Sequence, residues 1–440
     1  MNPLFTTARQ IATCEQEQIL KFIEDINENK LKLKIQMDNL TDIKDAVSEM
    51  IGNIADIIEK EEPKYAISKF YFVGSMAEGT RNSAPTECDF LLVLKHLSVP
   101  GAIGIERVRH MDPYSGLDYD HAHITVKESN VRQMFAGSID EDGFLHDPCS
   151  EESSTFKQVF EKCLHILERE KPVSVVTNSG TLGFLQSKWD DTKSDCNGPA
   201  FTFSLIWDSK YPTEEVKFSY SIDVDCSPAI EVEHIDPVVT LDDFAAIRYF
   251  SALQEEGKFL LVPARTCENS KCFKFTFTNT EVRLVREMSD MHKLCQRVLK
   301  LWCGKFRIEL YDGNGFPAKA FSSYHIKTCI LTHAVACTNT NVFHCILDVL
   351  SMLSENYVRK ENEKYLYSDL KCIFMKSNSV STRCFEKHEK KSIDDFLTSI
   401  VKCLVEIGQT VEYDFKTAFL YLEHATAARE DFLPLHLLKV

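Results

Sequence analysis

Glycine, proline and long apolar runs are all scarce in this sequence. Its 440 residues include only 16 Gly and 14 Pro, which excludes a collagen-like chain and argues against a largely disordered one. No stretch approaches the roughly 18 consecutive apolar residues of a membrane helix, and residues 1–30 lack the apolar segment of a secretory signal peptide. We therefore expect a folded, soluble, cytoplasmic protein of two or three domains that does not contact a membrane.

Positive charge is also in short supply. The chain has 50 Lys and Arg against 66 Asp and Glu, a formal net charge of −16. Because non-specific nucleic-acid affinity comes mainly from neutralising phosphates, this charge excludes a surface coated in positive potential but not a local basic groove. The 16 Cys are scattered without a compact framework, so reduced thiols are expected.

The spacing of apolar residues divides the chain into two regions. Between residues 40 and 60 it predicts a long amphipathic helix that ends before Pro63, and a shorter helical pattern spans 19–26. Short strand-like runs follow, and helical spacing dominates after residue 238. The sequence thus predicts an α+β fold, with a mixed β-sheet lobe over 1–238, braced by the N-terminal helices, and a helical-bundle lobe over 239–440.

A Gly-Ser pair and two carboxylates lie on consecutive strand-like runs. Residues 69–73 lead into Gly74 and Ser75, a turn whose backbone N–H groups and hydroxyl could cradle a phosphate. Glu87 and Asp89 are two apart at the start of the next strand, so both side chains should point to one face. Divalent cations would relieve the repulsion between them.

A further acidic pair, Asp223 and Asp225, lies on a later strand-like run. Three carboxylates that hold two metal ions can activate a hydroxyl nucleophile and stabilise a pyrophosphate leaving group, which is the chemistry of nucleotidyl transfer. Either aspartate could be the third ligand, because both share one face of the predicted strand. Considered alone, the Glu87 and Asp89 pair is equally compatible with a solvated strand end.

Several motifs occur together in order. Gly74-Ser75, eleven intervening residues and Glu87-x-Asp89 resemble the signature of the DNA polymerase β-type nucleotidyltransferases. Three further segments resemble the Mab-21 domain family, specifically the cyclic GMP-AMP synthase-like receptors, and extend the resemblance over nearly the whole chain: 83–85, 221–230 and 322–328. The resemblance implies a bilobal nucleotidyltransferase fold.

The same resemblance implies a site that binds two Mg²⁺ or Mn²⁺ ions through Glu87, Asp89 and a third carboxylate, for which the family pattern points to Asp225. It also implies nucleotide contacts at Gly74 and Ser75 in the turn, at Lys327, which would reach the phosphates from the helical lobe, and at Arg283, which would contact a base. Two positions that read guanine in the family are apolar here, Val73 and Val285. Base recognition is therefore expected to differ.

Vertebrate members of the family carry a zinc loop of one His and three Cys. It precedes the Ser-Ser-Tyr-His motif, which corresponds to residues 322–325 of this chain. In the matching interval this chain has only His292, Cys295 and Cys303, without an adjacent Cys pair. That set falls short of four ligands, so the sequence predicts no structural zinc.

The resemblance further implies ATP, GTP or other nucleoside triphosphates as substrates and an activating double-stranded nucleic acid, with RNA favoured over DNA. In the family the duplex lies between the bracing helix and the helical lobe. The candidate cations in those regions are Lys30, Lys32, Lys34, Arg297, Lys300, Lys305, Arg307, Lys387, Lys390 and Lys391. Each cluster alone is more often a solvated surface.

We therefore expect a ligand-activated enzyme that makes a cyclic dinucleotide, a second messenger for a downstream receptor in innate immune signalling. The alternative is a non-catalytic Mab-21 scaffold or nucleotide-binding module, since fold does not fix function. A linear nucleotidyltransferase that acts on RNA ends would share the acidic residues. The intact triad favours an enzyme, because buried charges without metal cost stability.

Overall fold

The structure is a computed structural model that describes residues 3–33, 37–111, 118–148, 155–170, 173–184, 200–210, 219–233, 238–244, 246–264, 271–304, 306–309, 317–358, 365–368, 372–375, 384–386, 389–410 and 414–426. Helices open the chain and dominate its second half. Their bounds are α1 Pro3–Ala8, α2 Thr13–Ile26, α3 Met37–Glu61, α4 Gly74–Glu78, α5 Ser129–Met134, α6 Phe156–His165, α7 Ile247–Glu256, α8 Thr278–Glu287, α9 Asp290–Cys303, α10 Ser323–Ala336, α11 Val342–Glu355, α12 Glu389–Gln409 and α13 Phe415–Thr426.

The strands fall mainly between α3 and α8. Their bounds are β1 Ile67–Val73, β2 Glu87–Leu94, β3 Ile103–Met111, β4 Asp118–Val126, β5 Val175–Val176, β6 Gly180–Phe184, β7 Phe201–Ser209, β8 Ser219–Glu233, β9 Lys258–Pro263, β10 Phe273–Thr276, β11 Arg307–Glu309, β12 Pro317–Lys319, β13 Tyr357–Val358, β14 Tyr365–Ser368 and β15 Cys384–Glu386. The first ten strands form one sheet, and the other five form two small sheets.

The long strand β8 organises the large sheet. Its first half lies between β7, which is antiparallel to it, and β2, which is parallel to it. Its second half pairs with β9, and the sheet continues through β10 and β4 to β3. The mixed α+β architecture and the helical C-terminal region agree with the expectation from sequence.

The sheet does not end at residue 238, where the sequence placed the boundary between two lobes. Strands β9 and β10, at 258–263 and 273–276, belong to it. Alternate side chains of β9 enter two separate apolar clusters, so both of its faces are buried. A strand that is covered on both faces lacks the alternation of apolar and polar residues that marks a strand in sequence.

The predicted N-terminal helices are confirmed. The apolar face of α3 is buried against α6, β1 and β6, which braces the sheet, whereas α2 packs mainly against α12 of the C-terminal region. Within the described part of the chain, no helix combines the length and apolar character needed to cross a bilayer.

Strand β2 separates two apolar clusters. Phe90 and Leu92 belong to the large core, while Leu91 and Val93 belong to a smaller cluster on the opposite face. Glu87 and Asp89 share the face of the smaller cluster, because alternate residues of a strand project to one side. The acidic pair therefore lies where that apolar face ends, at the beginning of the strand.

Candidate metal and nucleotide site

The parallel register of β2 and β8 brings three carboxylates together. Asp89 lies opposite Asp225, and Glu87 lies opposite Asp223. Carboxylate oxygens of Glu87, Asp89 and Asp225 all lie within 4.8 Å of one another. The sequence did not decide between Asp223 and Asp225. The register identifies Asp225 as the third member of the cluster.

A hydroxyl of β7 holds each of the two β8 aspartates. Thr202 Oγ1 donates to Asp225 Oδ1 at 2.5 Å, and Ser204 Oγ donates to Asp223 Oδ1 at 2.7 Å. Both hydroxyls are placed by the antiparallel pairing of β7 with β8. The two aspartates therefore have similar local contacts, and they differ in that only Asp225 has a carboxylate oxygen within 4.8 Å of those of Glu87 and Asp89.

Gly74 brings the turn after β1 against Asp89. It adopts a φ of +71°, and a Cβ built on it would overlap the Asp89 carboxylate, whose Cγ would lie 2.7 Å away. Strand β1 pairs with β2, so that Val73 is opposite Asp89. Only glycine meets both requirements at this position, since it tolerates positive φ and leaves room for the carboxylate.

Burial, together with neighbouring carboxylates, raises the pKa values of Asp89 and Asp225. Burial raises the pKa of Asp89 to about 7, and the charges of Glu87 and Asp225 add to the rise, while Arg81 opposes it. Burial likewise raises the pKa of Asp225; the hydrogen bond from Thr202 opposes this rise, and the charge of Glu87 adds to it. A set of oxygen donors that repel one another fits Mg²⁺ or Mn²⁺, which prefer such ligands and would neutralise them.

Arg81 forms an ion pair with one of the three carboxylates, Glu87. Its guanidinium forms an ion pair with Glu87, donates to Thr86 Oγ1 at 2.5 Å and donates to the carbonyl oxygen of Ala84 at 3.2 Å. A positive side chain therefore stands where a cation would bind Glu87. Sequence reasoning did not single out Arg81; its only signal was its place in the loop between the turn and the acidic strand.

Ser75 is the second residue of the short helix α4, directly after Gly74. Its carbonyl oxygen accepts the backbone N–H of Thr80 at 3.0 Å, which closes the turn. No described residue forms a hydrogen bond with its hydroxyl, so that group is free for a ligand. Its position beside Gly74 and the carboxylates agrees with a residue that contacts phosphates.

Lys327 reaches α4 from α10, but protein carboxylates engage its amine. Its Nζ donates to Glu281 Oε2 at 2.6 Å and to Glu78 Oε1 at 3.0 Å. Tyr324 donates to the other oxygen of Glu281, and Thr80 to the other oxygen of Glu78. Burial lowers the pKa of Lys327, but the two carboxylates outweigh it and raise the pKa above its usual range. The buried group links α10 with α4 and α8.

Arg283 faces α7 in this structure. Its Nη1 pairs with Glu255 Oε2 at 3.1 Å, and its Nη2 donates to the carbonyl oxygen of Ala252 at 2.6 Å. These contacts hold α8 against α7. Among the described contacts, none joins Arg283 to Glu87, Asp89 or Asp225. The structure therefore does not bring Arg283, which was predicted to contact a base, together with the carboxylate cluster.

The predicted basic residues have different surroundings. Arg297 donates to Asn27 Oδ1 at 2.9 Å, and burial lowers its pKa. Lys300 donates to the carbonyl oxygen of Thr80 at 3.3 Å, and burial lowers its pKa too. Lys32 pairs with Glu28, and Lys390 with Asp394. Arg297 and Lys300 therefore act as internal links, whereas Lys34, Lys305 and Lys387 lie outside the described residues.

Helices α8 and α9 hold the segment that joins the turn to β2. Arg286 of α8 donates to the carbonyl oxygen of Ala77 at 2.7 Å, and Asn82 donates to that of Arg297 on α9 at 3.0 Å. The Lys300 contact with Thr80 belongs to the same group. The segment beside the carboxylates is thus fixed by the helical region and not by the sheet alone.

Neither a scan against known protein families nor a comparison with curated proteins finds a match to this chain. The interpretation of the site therefore depends on its motifs and on the geometry of its side chains.

Proposed function

We propose that this chain is a metal-dependent nucleotidyltransferase, a cyclic GMP-AMP synthase-like receptor that joins two nucleoside triphosphates into a cyclic dinucleotide when double-stranded nucleic acid, RNA in the first instance, binds to it. The observation that carries the proposal is the convergence of Glu87, Asp89 and Asp225 beside the Gly74-Ser75 turn. The product would act on a downstream receptor in innate immune signalling.

The residues present divide the chemistry between them. When bound, Mg²⁺ or Mn²⁺ supplies Lewis acidity at the phosphates. Glu87, Asp89 and Asp225 would hold these ions. Asp225 would accept the proton of the ribose hydroxyl as its oxygen bonds to the α-phosphorus of a nucleoside triphosphate and the bond to pyrophosphate breaks, so that pyrophosphate leaves. The hydroxyl of Ser75, in the turn that Gly74 brings against Asp89, would orient the phosphates.

The ion pairs of the cations near the site favour an inactive state of the protein in the absence of an activating ligand. Arg81 pairs with Glu87, and Lys327 pairs with both Glu78 and Glu281, so both cations are held by protein carboxylates before substrate binds. For Lys327 to reach a phosphate it would have to leave this pair. A shift between two arrangements of the same side chains is the form that ligand activation would take.

The contacts from α9 supply a route for that activation. A duplex bound at the N-terminal helices and α9 would act on Arg297 and Lys300, whose partners are Asn27 before the turn and Thr80 after it. Movement of α9 would then shift the segment between Gly74 and Glu87. Both predicted cations therefore have protein groups as partners in the absence of a duplex.

The experiment is incubation of purified protein with labelled ATP, GTP, CTP and UTP and with Mg²⁺ or Mn²⁺, in the presence or absence of double-stranded RNA or DNA. A phosphatase-resistant cyclic product that requires a duplex, and is lost in Asp89→Asn, supports the proposal. Linear products extended from RNA ends would instead identify a terminal nucleotidyltransferase. No product in any condition, together with unchanged metal-dependent nucleotide binding in Asp89→Asn, would contradict the assigned site and favour the scaffold.

A further inference from the structure

Four metal-binding side chains converge in the helical region, away from the residues discussed so far. They are His292 on α9, His333 on α10, Cys337 directly after α10 and Cys345 on α11. One ring nitrogen of each histidine and the two sulfurs all lie within 4.8 Å of one another. Of these four, only His292 lies in the interval that corresponds to the zinc loop of the vertebrate proteins.

The spacing of the two sulfurs fits a tetrahedral metal. Sγ of Cys337 lies 3.7 Å from Sγ of Cys345. Two thiolates that bind zinc at about 2.3 Å with a tetrahedral angle between them lie about 3.8 Å apart. The thiols are therefore already at the separation that a shared ion requires, and both are free of disulfides.

Each histidine has one ring nitrogen in contact and the other buried without a partner. His292 Nδ1 lies 2.9 Å from Ser289 Oγ, and His333 Nδ1 lies 3.7 Å from Asp348 Oδ2. The Nε2 atoms of both are buried and form no hydrogen bond. A second contact that leaves Nε2 free is the usual arrangement for a metal-binding imidazole, whereas an orphaned buried nitrogen otherwise costs stability.

The surroundings favour neutral imidazoles. Burial lowers the pKa of His292, and burial together with His292 and Arg9 lowers the pKa of His333 to about 4. Both rings therefore offer lone pairs at neutral pH. The charge of Asp348 beside His333 is balanced by an ion pair with Arg9. Two neutral imidazoles and two thiolates would make an uncharged centre with a divalent ion, which suits a buried place.

We propose that His292, His333, Cys337 and Cys345 bind one structural Zn²⁺ ion that joins α9, α10 and α11. Two nitrogens and two sulfurs in a closed tetrahedral set select zinc among the common divalent ions, because Mg²⁺ and Ca²⁺ prefer oxygen. The site is independent of the proposed catalytic function. Because α9 also carries Arg297 and Lys300, the ion would hold the helix that contacts the segment between Gly74 and Glu87.

The test is the zinc content of protein purified under reducing conditions without chelator, measured by atomic spectroscopy. We expect about one zinc per chain in the wild type. The double variant Cys337→Ala with Cys345→Ala should retain less than a tenth of it. The matched control is Cys329→Ala with Cys403→Ala, since these two buried thiols lie outside the cluster and are at least as buried as Cys337 and Cys345; it should keep its zinc.

A second measurement covers the case in which the double variant does not fold. Reduced wild-type protein stripped by a chelator that prefers Zn²⁺ to Mg²⁺ is titrated with Co²⁺, whose absorption bands report thiolate ligands and tetrahedral geometry. Bands that saturate at about one Co²⁺ per chain and vanish on addition of Zn²⁺ support the site. Absence of these bands, or equal zinc in the double variant and the wild type, would overturn it.

Discussion

Gly74 lies so close to Asp89 that any side chain at residue 74 would overlap the carboxylate. Gly74→Ala should therefore lower the rate of product formation by about a hundredfold or more, because the added Cβ displaces Asp89, a proposed metal ligand. Gly79→Ala is the matched control: its φ is +74°, but nothing lies within 4 Å of its Cβ. Both variants should lose about 1 kcal/mol to backbone strain. Equal rates in the two variants would show that the contact with Asp89 is unimportant.

Asp225→Asn and Asp223→Asn should separate the two candidate ligands. Each aspartate accepts a hydrogen bond from a β7 hydroxyl, so the local structural cost is similar. We expect Asp225→Asn to abolish both turnover and Mn²⁺-dependent nucleotide binding, and Asp223→Asn to keep at least a third of wild-type activity. Turnover assays and calorimetric titration check this. The reverse ranking would mean that the register of β2 and β8 differs in the active enzyme.

In the absence of divalent cations, Asp89→Asn should stabilise the protein near neutral pH. The pKa of Asp89 is raised from 3.8 to about 7 in the folded state, so between about pH 4 and pH 7 the unfolded chain loses this proton while the folded protein keeps it, and stability falls as the pH rises. Because the shift is about three pKa units at about 1.4 kcal/mol each, the advantage of Asn over Asp in the free energy of unfolding should grow through that window to the order of 4 kcal/mol. Denaturant titrations at several pH values measure it. An advantage that shrinks as pH rises would contradict the assignment.

Arg81→Gln should lower the Mn²⁺ concentration needed for half-maximal nucleotide binding by several-fold. The arginine neutralises Glu87, and its removal frees that carboxylate for a cation. Lys95→Gln removes one positive charge from the exposed pair with Glu59 and so controls for net charge; it should not alter the metal requirement. A higher metal requirement in Arg81→Gln would mean that the arginine positions Glu87 for binding.

Lys327→Met should cost about 3–5 kcal/mol in the free energy of unfolding, because it leaves Glu78 and Glu281 buried without their cation. Adding Glu78→Gln and Glu281→Gln should recover a large part of that loss. Lys32→Met, which breaks an exposed pair with Glu28, should change stability by less than about 1 kcal/mol. Chemical denaturation measures all three. A cost below 1 kcal/mol for Lys327→Met would exclude the buried charge network.

Much of the fold was predictable because its signals are local. The spacing of apolar residues predicts α3 and the C-terminal helices, and β1 and β2 follow from strand-like runs around the Gly-Ser turn. Strand β9 was missed because both of its faces are buried, which removes the alternating pattern.

For the site, too, residues close together in sequence were predictable, and contacts between distant segments were not. Glu87 and Asp89 could be paired from sequence because they are two apart on one strand. The choice of Asp225 over Asp223 required the register with a strand far along the chain. The His292, His333, Cys337 and Cys345 cluster escaped notice because its members come from three helices. Their ligand atoms meet only through tertiary packing, which no short spacing reveals.

The parallel pairing of β2 with β8 has a consequence for the order of folding. Strand β2 ends at Leu94 and β8 begins at Ser219, so a long stretch of chain is synthesised between them. Parallel pairs of such separation close a large loop and form late. Glu87 and Asp89 therefore emerge from the ribosome long before Asp225, and a nascent or truncated chain cannot assemble the three carboxylates until β8 has been synthesised and has paired with β2.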